Sequence, residues 1–137
     1  MKTIVVGYDD TDGSKRALER AAEIAGAFGG RLIVTSVAPV QYYAMRSRGP
    51  VGPGETVQDH RDLLEHARSA LEGKGIEADY VWAAGEPGDT IVEVADERNA
   101  DLIVVGTREP GIVERLIGGS VSQEVAREAE CDVLIVH

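Results

Sequence analysis

DLIVVGTREPGIVERLIGGSVSQEV, residues Asp101 to Val125, begins with an unbroken apolar run, Leu102 to Val105, that stops at Gly106. Apolar residues without alternation, closed by a glycine, read as a strand buried on both faces. Further on, the pair Gly118-Gly119 brings Ser120 to the start of a helical pattern that runs from Val121 to Ala129. A buried strand ending in glycine, followed by a helix opening on Gly-Ser, is how α/β proteins build an anion cradle. Bare N–H groups and the positive end of the helix converge there, and glycine lets a phosphate approach.

Working outward, the same strand–helix alternation recurs. Thr3 to Val6 reads as a first strand. Ala17, Leu18, Ala21, Ala22, Ile24, Ala25 and Phe28 then fall at helical spacing and stop at Gly29-Gly30. Leu32 to Val37 gives a second strand. Residues 39–58, with Pro39, Pro50, Pro53 and three glycines, read as a long loop. Leu63, Leu64, Ala67, Ala70 and Leu71 predict a second helix ending at Gly73 and Gly75. Ile76 to Ala83 alternates apolar and polar residues and so predicts an edge strand. A third helix follows Pro87-Gly88, and Val133 to Val136 is a fifth strand. Strict alternation implies a parallel sheet covered by helices on both faces, with the uniformly apolar first and fourth strands in its middle. Ligands of such sheets bind at the carboxyl ends of strands where the winding reverses. Asp9 and Asp10, after the first strand, should therefore meet Gly106 to Glu109, after the fourth.

A length of 137 residues suits one domain, spanning 1–137, with a core of useful size. No apolar run approaches 18 residues, so no membrane insertion is expected. MKTIVVGYDD leads straight into a strand pattern with no secretory hydrophobic region, and the single cysteine, Cys131, forbids an internal disulfide. Both features fit a cytoplasmic protein. The balance of 24 acidic to 14 basic residues, net −10, repels nucleic acid and anionic lipid. Only Lys2, Lys15 and Lys74 are lysine, the remaining basic residues being arginine. A salt-rich cytoplasm and an arginine-favouring genome explain that bias equally well.

Three segments together resemble the universal stress protein family: IVVGYDDTDGSKRAL near the start, the DLIVVGT strand, and LIGGSVSQEV followed by CDVLIVH. The resemblance spans the whole chain. It implies a single-domain α/β fold, a Rossmann-like three-layer sandwich whose five-stranded parallel sheet runs in the order 3-2-1-4-5. It also implies a homodimer paired through the C-terminal strand, and an adenine-nucleotide pocket holding ATP or AMP, with magnesium only beside bound nucleotide. Binding members of the family carry a glycine, two residues, a glycine, nine residues, then glycine and serine or threonine. Gly106 matches the first position and Gly119-Ser120 the last, without a gap; the middle glycine falls on Glu109. The aspartate that contacts adenosine matches Asp9, the strand-end residue near the adenine matches Val37, and Arg108 takes the position before the lost glycine. Tyr8, beside Asp9, and Val121, beside Ser120, complete the candidate set.

Glu109 opposes tight polyphosphate binding. A glutamate where the family's glycine uses positive φ costs on the order of 1 kcal/mol. Pro110 further biases it toward extended geometry. Its carboxylate, at ~4 Å from a phosphate charge and an effective dielectric of about 20, adds ~4 kcal/mol of repulsion, roughly a thousandfold in affinity. AMP avoids much of this. Gly111, Gly118 and Arg108 work the other way, by flexibility and by neutralising Glu109. Gly106 and Gly118-Gly119 also suit plain tight turns, with Ser120 as a helix cap.

Other residues read as structural. Asp10 and Asp12 belong to a helix start capped by Thr11, Asp12 or Ser14, and lack calcium-loop spacing. His60 and His66 lie six apart, on different helix faces, and read with His137 as solvated surface side chains. Cys131 has neither CxxC nor a base nearby and reads as a buried thiol. Tyr42, Tyr43 and Met45 sit in the long loop and Trp82 on the edge strand, where they either cover a ligand or pack back onto the sheet. The leading expectation is a dimeric regulatory or adaptor module with an unidentified protein partner and a nucleotide pocket weakened at Glu109. A slow ATPase or phosphotransferase using Asp9 or Asp10 is the alternative, and lacks a convincing general base. A ligand-free dimerising scaffold is the third.

Overall fold

The computed structural model of the chain describes residues 1–38, 53–107 and 121–137, the side chains of 53–60 excepted. Five strands, β1 (Thr3–Gly7), β2 (Arg31–Ala38), β3 (Ala78–Ala84), β4 (Leu102–Gly106) and β5 (Asp132–Val136), form one sheet. Every neighbouring pair is parallel, in the order β3-β2-β1-β4-β5. Four helices lie among the described residues: α1 (Asp12–Phe28), α2 (Pro53–Leu71), α3 (Pro87–Glu97) and α4 (Val121–Glu128).

β1 and β4 read as continuous apolar runs because both their faces are buried, and alternate residues serve opposite cores. Ile4, Val6, Leu32, Val34, Leu102 and Val104 point to the face covered by α1 and α2, against Leu18, Ala21, Ala25 and Leu71. Val5, Ile33, Ile103 and Val105 point to the other face, against Ile91, Val92 and Ala95 of α3 and Val125 of α4. The alanine-rich face of α1 lets that helix lie close to the sheet. β1 is the central strand and β4 its neighbour, as their uniform apolarity predicts, and alternating β3 is an edge.

Helix α1 is capped at both ends by residues chosen for it. The Thr11 hydroxyl accepts the Ser14 N–H at 3.2 Å. Gly29 closes the helix at φ 67, donating its N–H to the Ala25 carbonyl. Where sequence predicts a loop over 39–58, α2 already begins at Pro53. A proline in the first helical turn lacks only an N–H that has no intrahelical acceptor, so Pro53 starts the helix instead of excluding it. The remaining loop residues, with Tyr42, Tyr43 and Met45, lie outside the described residues. Trp82 is 37% exposed on β3, and half-buried Cys131 packs against the second core, burial pushing its thiol pKa up. No helix among the described residues is long and apolar enough to cross a membrane.

Candidate functional site

Winding reverses between β1 and β4: β2 lies on one side of β1, and β4 on the other. At the carboxyl ends of these strands lies a cleft of about 200 Å³. Gly7, Tyr8, Asp9, Thr11 and Ser14 line it from the β1–α1 turn, Val37 from the end of β2, and Pro87 and Ile91 from α3. Val105, Gly106 and Thr107 line it from β4, and Val121 from the start of α4. Tyr8, Asp9, Val37, Gly106 and Val121, scattered through the sequence, are thus brought to one cavity. Arg108, Glu109, Gly119 and Ser120 lie outside the described residues.

Glycine is required where the two loops meet. A Cβ on Gly106 would overlap the carbonyl oxygen of Gly13, and a Cβ on Gly13 would overlap that of Thr107. The first turn of α1 therefore lies directly on the end of β4, backbone against backbone. Gly13 escapes a sequence reading because it sits within a helix, where glycine normally carries no signal; its place two residues after the Thr11 cap is the only hint.

The β1–α1 turn is tied internally. One oxygen of the Asp9 carboxylate accepts the Thr11 N–H at 3.2 Å and also the Thr11 hydroxyl. The Asp9 N–H donates to Ser14 Oγ at 3.3 Å, and that hydroxyl donates to the Thr11 carbonyl at 3.0 Å. These bonds hold Asp9 at the cleft while Ser14, 7% exposed, fills the gap beneath the turn.

Asp10, expected to be no more than part of the helix start, has contacts of its own. Thr11 is the cap, and Asp10 adopts φ 64 with its side chain turned toward α2. Its carboxylate accepts the Tyr8 hydroxyl at 2.8 Å and lies 3.0 Å from Nδ1 of His66. His66, expected to be merely solvated, is exposed but paired. The physical reason is tertiary: Asp10 and His66 are 56 residues apart, and no local pattern couples them. Burial raises the Asp10 pKa, but hydrogen bonds from Tyr8 and His66, with the Lys15 charge, outweigh it and leave it lowered. Burial, the bond to Asp10 and the charges of Asp10 and Asp9 all push the Tyr8 phenol far above its ordinary range, so it stays a donor.

The cleft combines apolar walls with polar groups. Ile91, Val105, Val121 and Val37 provide apolar walls and Asp9 a carboxylate, while the Thr11 and Ser14 hydroxyls are engaged within the turn. Its volume matches part of a nucleotide, sites for larger ligands running to about 300–1,000 Å³. Asp9 is the one charged side chain among the described lining residues, and no cation stands among them.

A second feature escaped the sequence. Asp89 on α3 and Glu124 and Glu128 on α4 bring carboxylate oxygens within 4.8 Å of one another. A hydrogen bond with Asp89 raises the Glu128 pKa. Gly88 makes the approach feasible, since a Cβ there would lie 2.6 Å from Glu124 Oε2. Residues 35 and 39 positions apart carry no shared motif, which is why the cluster is illegible in sequence.

Comparison with known proteins agrees with this geometry. The universal stress protein family model matches residues 1–137. A universal stress protein of Mycobacterium tuberculosis is 38% identical over 144 residues, covering 99% of this chain and 96% of that protein. The crystal structure of a universal stress protein in complex with cAMP is 36% identical and superposes with a TM-score of 0.78, covering 99% of this chain and 97% of that one. The Archaeoglobus fulgidus universal stress protein in complex with dAMP is 28% identical, with a TM-score of 0.76, covering 100% and 98%. With the sheet order, the cleft and a whole-length match in agreement, the chain belongs to the universal stress protein family.

Proposed function

We propose that this chain binds an adenine mononucleotide, of the AMP or cyclic AMP type, in the cleft between β1 and β4, and acts as a regulatory module rather than a metabolic enzyme. The observation that carries the reading is the lining itself. Apolar walls and the Asp9 carboxylate favour a nucleoside, and that carboxylate repels a polyphosphate more than a monophosphate. A cyclic monophosphate carries one negative charge and a triphosphate about four, so an anionic cleft in a chain of net charge −10 discriminates by repulsion. The two related structures that hold cAMP and dAMP support a monophosphate ligand. Glu109, in place of the glycine of the family pattern, adds a further negative charge to the segment between Thr107 and Val121, both of which line the cleft. By sequence, Arg108, Gly119 and Ser120 are the residues that the family pattern would bring to the phosphate.

The regulatory part rests on conformational bias: an occupied cleft stabilises one arrangement of the β1–α1 and β4–α4 loops, and a partner protein reads it. The exposed edge of β5 is the surface on which a second copy would pair, and a homodimer so formed would carry two clefts. The low cysteine content is in keeping with a cytoplasmic setting.

Calorimetric titration with cyclic AMP, AMP and ATP, with and without magnesium, tests the reading beside Glu109→Gly. The expected result is binding of both monophosphates to the native chain, with ATP weaker by roughly two to three decades and restored in the variant. Tight ATP binding by the native chain, or nucleotide turnover, would favour the ATPase reading. No binding of any nucleotide by either protein would refute the proposal.

A further inference from the structure

The Asp10–His66 pair lies outside the cleft, yet it grips the turn that presents Asp9. Asp10 takes the left-handed backbone, φ 64, that aspartate and asparagine tolerate better than most residues with a side chain. Its carboxylate is held from three elements. Oδ1 accepts the Tyr8 hydroxyl at 2.8 Å and lies 3.8 Å from Lys15 Nζ on α1; Oδ2 lies 3.0 Å from Nδ1 of His66 on α2. Asp10, Lys15 and His66 line a separate groove of about 440 Å³ between α1 and α2, where Glu19 and Lys74 are the other charged side chains among the described residues. Tyr8 is the wall common to this groove and the cleft.

The direction of the chain at Asp10 fixes the direction of its neighbour. With φ positive at Asp10, the Asp9 carboxylate turns onto the Thr11 N–H at 3.2 Å, and the Asp9 N–H reaches Ser14 Oγ at 3.3 Å. Extended or right-handed backbone at Asp10 would swing Asp9 away from both. We propose that Asp10 and His66 are positioning residues: α2, through His66, holds the β1–α1 turn in the conformation that offers Asp9 to the nucleotide. The inference rests on the nucleotide reading above. It goes beyond that reading by making a residue of another helix, one that does not line the cleft, a determinant of affinity.

The test compares the native chain with His66→Ala, His66→Gln and Asp10→Gly. Amide resonances are recorded without nucleotide, and AMP affinity is measured by calorimetry. His66→Ala should move the amide signals of Asp9, Thr11 and Ser14, none of them on α2, and weaken AMP binding roughly two- to fivefold, the reach of one exposed polar contact. Glutamine retains a donor and should restore most of the affinity. Asp10→Gly keeps the left-handed backbone but loses the grip, and should bind as weakly as His66→Ala. Signal changes confined to α2, with AMP affinity intact, would overturn the proposal. If the native chain binds no adenine nucleotide, the function reading falls and the positioning role with it. The nucleotide-free spectra tell that failure apart from loss of the clamp alone.

Discussion

Gly13 and Gly26 occupy the same helix, and alanine at the two positions should change stability in opposite directions. In a helix interior glycine costs roughly 0.5–1 kcal/mol relative to alanine, through backbone entropy. Nothing lies within 4 Å of a Cβ built on Gly26, so Gly26→Ala collects that gain in full. At Gly13 the new Cβ overlaps the backbone carbonyl oxygen of Thr107, and its carbonyl carbon lies 3.3 Å away. A carbonyl at the end of a central strand cannot rotate aside as a side chain can, so α1 must lift from β4. Overpacking of this kind costs about 1–3 kcal/mol, and the upper half applies where backbone meets backbone. Even with that whole helical gain set against it, a cost of about 2 kcal/mol leaves Gly13→Ala destabilised by at least about 1–2 kcal/mol. For a chain of 137 residues, 1 kcal/mol moves Tm by about 3–4 °C. Calorimetric melting should therefore place Gly26→Ala about 2–4 °C above the native protein and Gly13→Ala about 3–8 °C below it. If both variants melt higher, the close approach of α1 to β4 is wrong, and the required glycines at 13 and 106 lose their explanation.

Two further outcomes are expected. Asp101 accepts the N–H groups of Lys2 and Thr3 at 2.9 and 3.0 Å, and these bonds, that of Thr3 foremost, hold its carboxyl below the ordinary range. A pKa lowered by folding means that the ionised form stabilises the native state above the unfolded value and ceases to do so as pH falls through the lowered one. Asp101→Asn should have a lower urea midpoint than the native chain at pH 7, with the gap closing in strong acid; a gap independent of pH would refute this. Ile103, fully buried between α3 and α4, should cost about 2–5 kcal/mol on truncation to alanine, read as a shift of the urea midpoint with its slope unchanged.

Much of the fold was legible because its signals are local. Leu102 to Val105 is apolar at every position because both faces of β4 are buried, and the alternation in β3 marks an edge for the converse reason. The strand order came from the family resemblance: alternation fixes the class of sheet but not which strands are neighbours. Pro53 misled because a proline near glycines resembles a loop, although it is equally at home in the first turn of a helix. The cleft was half legible. Asp9 and Gly106 follow strands in the places where such sheets bind ligands. Asp10 with His66, Gly13 with Thr107, and Asp89 with Glu124 and Glu128 were not, since each depends on a contact between distant segments.

Charge links the illegible contacts to the proposed function. An acidic chain favours a polyanion where it gathers cations, and of its three lysines Lys15 and Lys74 line the groove between α1 and α2. Lys15 is further engaged by Asp10, and Arg31 and Arg98 are bound to Asp79 at the far edge of the sheet. Lys15, Arg31 and Arg98 are thus committed to holding secondary structure together, the β1–α1 turn included, and the one charged side chain in the described lining of the cleft is the Asp9 carboxylate. On the proposed nucleotide reading, a site so equipped would discriminate through the base and sugar, where Asp9 and the apolar walls stand. Accuracy in placing Asp9 then matters more than electrostatic attraction, and this gives the grip of Tyr8, Lys15 and His66 on Asp10 its functional weight.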